Sequence, residues 1–242
     1  MSYEPRFYRD FSSSERWESY RVQVESTDLY IRTKGKHALW VQKRVCELRK
    51  ILTEHIGRQP CFLDSLVPVA RLRGVHPMLL AMYKAAEKAG TGPMAAVAGA
   101  IAQWIGQELC IWSREVIIEN GGDIYMRLEQ AGKATLYAGK SKFSGKVGLA
   151  LEPFETPLAV CTSSGTVGHS YSLGQADAAT IISKDACLAD AVATGAANLV
   201  GSDQDLEKAL DYALAIPGVL GAVLILGDNL AVKGDVQLVA TS

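Results

Sequence analysis

The chain reads as α+β: a largely antiparallel sheet with helices packed on it, in one domain. Three observations predict this. Strand-like alternations are joined by short polar turns at Ser26-Thr27-Asp28, Asn120-Gly121-Gly122-Asp123 and Gly227-Asp228-Asn229, which is the pattern of hairpins rather than of crossovers. Between them stand apolar-periodic segments of helical length. The chain has 242 residues, 48% hydrophobic and 21% charged, ample for one sizeable core. It shows no repeat and no low-complexity linker, so residues 1–242 are taken as a single domain with 1–15 as an N-terminal arm.

Trp17 to Ile31 alternates and breaks at Ser26-Thr27-Asp28, a β-hairpin. His37 to His55 places Leu39, Val41, Val45, Leu48 and Leu52 at helical spacing, an amphipathic helix that Gly57 and Pro60 end. A second helix begins at His76-Pro77 and stops at Gly90; Pro93 then opens a third, Met94 to Leu109, because proline is pre-organised for a first helical turn. Val116–Glu119 and Ile124–Leu128 are strands about the Asn-Gly-Gly-Asp turn. Ala134–Ala138 and Lys146–Leu151 flank a loop carrying Lys140, Lys142 and Lys146, and Pro157–Thr162 is the next strand. Ser202-Asp203-Gln204-Asp205 caps a helix running to Ala215. Ala222–Leu226 and Leu230–Lys233 form a last hairpin, with Val236–Val239 a candidate further strand.

Composition narrows the function classes. The formal net charge is −1, which gives no general electrostatic reason to expect nucleic acid or an anionic membrane. The N-terminus is polar and aromatic without the apolar run of a signal peptide. Met94–Ile105 is too short and too small-sided to span a bilayer. The five cysteines are scattered with no C-x-x-C pair, as expected of reduced thiols in a cytoplasmic protein.

The segment from Cys161 to Gly201 is the most informative. A Ser/Thr/Gly turn, Thr162-Ser163-Ser164-Gly165-Thr166, precedes His169. An apolar strand follows, and then a helix built from Ala, Gly and Cys. Such a helix offers little side-chain area, so another helix or a ligand must approach its backbone. Asp190 and Thr194 stand four apart on one face and can close on a cation or a phosphate. A glycine-containing turn can cradle an anion with its N–H groups, although a polar surface turn has the same composition. An imidazole titrates near neutrality, so His169 is a candidate acid/base. Cys161 with His169 as its base is a weaker nucleophile candidate. Gly90-Thr91-Gly92-Pro93-Met94-Ala95 matches the dinucleotide glycine pattern by letter but follows a helix, so it is read as an interhelix turn. The three lysines are read as a solvated loop.

Three ordered segments resemble the ApbE flavin-transferase family. Gly99-Ala100-Ile101-Ala102-Gln103 is similar to its Gly-Ala-Ile-Ala-Lys-Gly motif. Val116 to Ile124, with Asn120-Gly121-Gly122-Asp123, is similar to its strand and Asn-x-Gly-Gly-Asp-Ile turn. Thr162-Ser163-Ser164-Gly165, His169 and Ala189-Asp190-Ala191-Val192-Ala193-Thr194 resemble its Thr-Ser-Gly, His and Ala-Asp-Ala-Leu-x-Thr. The resemblance covers about residues 90 to 200 and is nearest to the soluble, uncharacterised branch of the family. Gln103 stands where that family has lysine, and the family's Asp-Pro and Thr-Gly after the histidine are missing.

The resemblance implies an ApbE-like α+β fold with FAD in a cleft and Mg²⁺ near its pyrophosphate. It implies Asp190 and Thr194 as metal ligands, helped by a carbonyl near Gly99 or Ala100. His169 is implied beside the reacting phosphate. Gly99, Ala100, Gln103, Asn120, Gly121, Gly122, Asp123, Thr162, Ser163, Ser164 and Gly165 are implied around the cofactor. The activity implied is transfer of FMN from FAD to a threonine of a protein acceptor. Two other readings stand beside it: a non-catalytic nucleotide-binding protein with a degenerate site, and a scaffold whose small-residue helix packs on a second subunit as a homodimer.

Overall fold

The structure is a computed structural model that describes residues 16–165 and 174–241. Two strands open it, β1 (Glu18–Val24) and β2 (Thr27–Thr33), paired from Glu18↔Thr33 to Val24↔Thr27. Then come α1 (Ala38–Arg58), the single turn α2 (Cys61–Asp64), α3 (Pro77–Ala89), and α4 (Val97–Leu109) led in by a 3₁₀ turn at Pro93–Ala96. Strands β3 (Val116–Asn120), β4 (Asp123–Arg127), β5 (Gly132–Thr135), β6 (Val147–Leu151), β7 (Leu158–Ser163) and β8 (Ala178–Ser183) follow. The chain ends with α5 (Ala186–Leu199), α6 (Leu206–Ala215), β9 (Val219–Leu226), β10 (Asn229–Gly234) and β11 (Leu238–Ala240).

The main sheet has the order β1-β2-β3-β4-β7-β8-β9-β10, every pair antiparallel. A small sheet, β11-β6-β5, covers one of its faces, and the helices cover the other. Period-2 alternation makes this possible. On β7, Ala159 and Cys161 join the helical core, whereas Leu158 and Val160 join the core under the small sheet. On β8, Ala179 and Ile181 do the first and Ala178 and Ile182 the second.

Helix α5 lies at the centre, on β7 and β8 and among α3, α4 and α6. Its partners come very close. A Cβ on Gly99 of α4 would lie 2.2 Å from the Ala186 carbonyl oxygen, and one on Gly195 would lie 2.0 Å from the Tyr212 hydroxyl of α6. Small residues thus let α4 and α5 pack backbone to backbone, and let the Tyr212 side chain of α6 seat against the backbone of α5. Residues 186–193 are all buried within the chain, and Thr194, Asn198 and Leu199 are the α5 residues that keep exposure.

Leu39 is a correction to the helical stripe, since it is 85% exposed. Val41, Val45, Leu48 and Leu52 form the buried stripe of α1, and Leu39 lies two residues, about 200°, from Val41. The lysine loop is solvated as read, with Lys142 paired to exposed Asp228 at 3.7 Å. No helix among the described residues is long and apolar enough to cross a membrane.

Candidate functional site

Four elements bring the sequence motifs together on the helical face of the main sheet. The first is the β3–β4 hairpin. Gly121 and Gly122 have φ of 74° and 109°, the left-handed conformations that a tight two-residue hairpin requires. Asn120 and Asp123 are therefore directly paired. The Gly122 N–H donates to Glu119 Oε1 at 3.1 Å, and Asn120 Nδ2 donates to the Ala98 carbonyl at 3.1 Å. That second bond fixes the hairpin to the second element, the first turn of α4.

The third element is α5. Asp190 Oδ2 accepts from the Gly99 N–H at 2.8 Å. One helical turn later comes Thr194, half-buried. The fourth is the end of β7: pairing of Ile124 with Val160 sets Asp123 opposite Cys161. Ser163 lies two residues on and faces the same way. The Cys161 thiol points to the Ala186 carbonyl at 3.6 Å.

Two carboxylates therefore share a buried space. Asp190 is pushed up to about 7, first by burial, against the pull of the Gly99 and Ala98 N–H groups. Asp123 is raised well above the usual carboxylate range, first by burial and next by the charge of Asp190. The Cys161 thiol and the Thr162 N–H act against that rise. Like charges brought together out of water favour a proton on one of them. Asp123 Oδ1 and Ser163 Oγ are buried with no hydrogen-bond partner among the described residues. Leaving such atoms unpaired is costly, and their placement fits a ligand that the chain itself does not supply.

Among the described residues no group of three or more His, Cys, Asp and Glu side chains converges. Two carboxylates with open coordination are what Mg²⁺ ordinarily takes from a protein, keeping waters and substrate phosphates for its other positions. The donor set and the orphaned Asp123 oxygen fit that ion.

The other expected residues divide. Ala100 is wholly buried in the helical core. Gln103 is buried, and its Oε1 accepts from the Ala186 N–H at 2.6 Å. Thr162 Oγ1 bonds Thr180 Oγ1 at 2.8 Å, and Ser164 Oγ donates to the Ala176 carbonyl at 3.4 Å. Gly165 packs on Gly174, whose carbonyl oxygen would lie 1.9 Å from a Cβ there. His169 lies outside the described residues. Cys161 is no ready nucleophile, because burial and the neighbouring carboxylates hold its thiol well above its ordinary range. Sequence reading missed Asp123 as the partner of Asp190, and missed Glu119 as the residue that braces the turn. The signal for Asp123 was its hairpin pairing with Asn120, which puts both on one face.

Residues 9–238 match the family model described as AbpE bacteria. The chain belongs to this family. Relatives of the chain carry the name UPF0280 protein. One in Methanopyrus kandleri is 40% identical over 225 residues, covering 89% of this chain and 90% of the relative. Another, in Methanocaldococcus jannaschii, is 36% identical and covers 93% and 94%. The fold is that of solved flavin transferases. The Vibrio cholerae flavin transferase ApbE superposes with a TM-score of 0.57 at 14% identity, covering 93% of this chain and 98% of that one. The apo form of the Pseudomonas stutzeri flavinyl transferase ApbE gives 0.56 at 12% identity, covering 90% and 94%.

Proposed function

We propose that this AbpE-family protein binds a flavin nucleotide, with FAD as the leading candidate, at the junction of the β3–β4 hairpin, α4, β7 and α5. The observation that carries the reading is the buried pair Asp123 and Asp190, of which Asp123 Oδ1 has no partner among the described residues. Asp190 and Asp123, with Thr194 beside them, would hold Mg²⁺. The ion would neutralise the pyrophosphate of the nucleotide. Asn120 and the Gly99 N–H fix the geometry of the carboxylates, and Gly122 lets the hairpin approach without a side chain in the way. The likeness to flavin transferases supports the ligand class.

The finer reading is transfer of FMN from FAD to a threonine of an acceptor protein, with His169 taking the proton of the attacking hydroxyl. One observation favours a second reading, binding without chemistry. Gln103 occupies the position of the family's lysine and is turned onto Ala186, so that side chain presents no cation to a phosphate.

The test is to titrate FAD with and without Mg²⁺, following flavin fluorescence, and to assay AMP by chromatography. Mg²⁺-dependent binding that Asp123→Asn and Asp190→Asn both abolish supports the site. AMP release, with FMN on an acceptor, supports the transferase reading. Binding without AMP in the presence of an acceptor extract supports the binder. FAD binding that ignores both substitutions refutes the site.

A further inference from the structure

The α4–α5 seam contains two clasps of opposite direction. Asp190 reaches from α5 to the Gly99 N–H of α4 at 2.8 Å. Gln103 reaches from α4, one turn after Gly99, to the Ala186 N–H of α5 at 2.6 Å, one turn before Asp190. Ala186 is the first residue of α5, so its N–H has no partner inside the helix and needs an acceptor from elsewhere. Asp185 supplies the next two, accepting from Cys187 and Leu188. The Ala186 carbonyl is the atom that a Cβ on Gly99 would strike. Both clasps therefore close on one rigid contact, and a slide of α5 along α4 breaks them together.

We infer that Gln103 is a positioning residue: it sets the register of α5 on α4 and so holds the Asp190 carboxylate at the cation site. This rests on the reading of Asp190 as a cation ligand. Residue chemistry makes the assignment specific. A lysine ammonium donates only, and cannot accept the Ala186 N–H; a glutamine amide oxygen can. Position 103 is 8% exposed, so the side chain is committed to the seam rather than to solvent. The chain thus uses, for aligning its metal-binding helix, a position that the resembling family fills with a cation.

The test compares Gln103→Met, which keeps the volume and removes the acceptor, with Gln103→Glu, which keeps an acceptor. Two readouts are needed. One is hydrogen exchange of the Gly99 amide by NMR, referred to the Ile105 amide further along the same helix. The other is Mn²⁺ affinity by electron paramagnetic resonance. Gln103→Met should lower Gly99 protection about tenfold or more relative to Ile105, the scale of a lost hydrogen bond to a charged group. It should weaken Mn²⁺ binding by a similar factor, and Gln103→Glu should restore most of both. An unchanged Gly99 amide, or a loss of protection shared evenly by Gly99 and Ile105, overturns the inference and leaves Gln103 a general structural residue. If the wild-type protein binds no Mn²⁺, the cation reading of Asp190 falls. The amide readout then still decides whether Gln103 holds Asp190 in place.

Discussion

Gly99→Ala should destabilise the protein strongly, against the ordinary preference of helices for alanine. The new Cβ would lie 2.2 Å from the Ala186 carbonyl oxygen, 2.8 Å from its carbon and 3.0 Å from the Asp190 Cβ. The obstacle is backbone, so no side chain can swing aside. Restoring ordinary contact requires α4 and α5 to part by about 1.2 Å, which forfeits dispersion along the whole seam. Overpacking of this kind costs about 3 kcal/mol. The bond from the Gly99 N–H to Asp190 is stretched as well, worth about 2 kcal/mol for a charged acceptor. Helix propensity returns about 1 kcal/mol. The net loss is about 4 kcal/mol, or a Tm lower by roughly 8–16 °C for a chain of this size.

Gly57→Ala is the control. Gly57 lies inside α1, is exposed, and a Cβ there meets nothing within 4 Å. That variant should gain about 0.5–1 kcal/mol from propensity alone. Both variants are read by circular dichroism at 222 nm during heating. A Gly99→Ala protein as stable as wild type would refute the close helix seam, and with it the account of why α5 is built from small residues.

Two further outcomes are expected. The carboxyls of Asp123 and Asp190 are raised in the folded chain, Asp190 to about 7, so the native state holds protons that the unfolded chain releases. The Asp190 contribution is therefore fully present below the ordinary aspartate range and is lost as pH rises through about 7, and that of Asp123 is likewise lost as pH rises through its own raised range. In metal-free buffer Tm should fall from pH 5 to pH 8, and saturating Mg²⁺ should reverse the trend at the alkaline end; a Tm that rises over this interval in both wild type and Asp190→Asn would contradict the assignment. Tyr83→Phe removes the hydroxyl that meets buried His55 Nε2 at 2.8 Å and donates to Gln59 Oε1. Stranding those groups should cost about 1–3 kcal/mol in urea unfolding, and a change below about 0.5 kcal/mol would show that water replaces the hydroxyl.

Much of the fold was legible because its periods are clean. Pro77 and Gly90 bracket α3 with residues whose backbone chemistry permits little else, and its bounds came out as read. The hairpin turns fixed the antiparallel character, because two-residue connections allow no crossover. Position across the sheet was less legible. That β5 and β6 leave the main sheet, and that β11 returns to pair with β6, depends on packing between distant segments, which local pattern does not encode. Leu39 shows the limit of periodicity, since an apolar residue off the stripe reads like one on it. At the site, Asp190 was visible by its spacing from Thr194. Asp123 was visible only as a turn residue, because its pairing with Asp190 spans 67 residues of sequence and exists only once the hairpin is tied to α4 through Asn120.

The close glycine contacts bear on how the molecule could be re-engineered. Gly99, Gly165 and Gly174 each sit where an added carbon would fall within 2.2 Å of a backbone oxygen. No enlargement there is available as a route to a new ligand. Any attempt to retune this protein must therefore work from the rim, where Thr194 and Ser164 are only partly covered. In a mutant library, the members enlarged at Gly99 or Gly165 would be lost to misfolding before any altered binding could be seen.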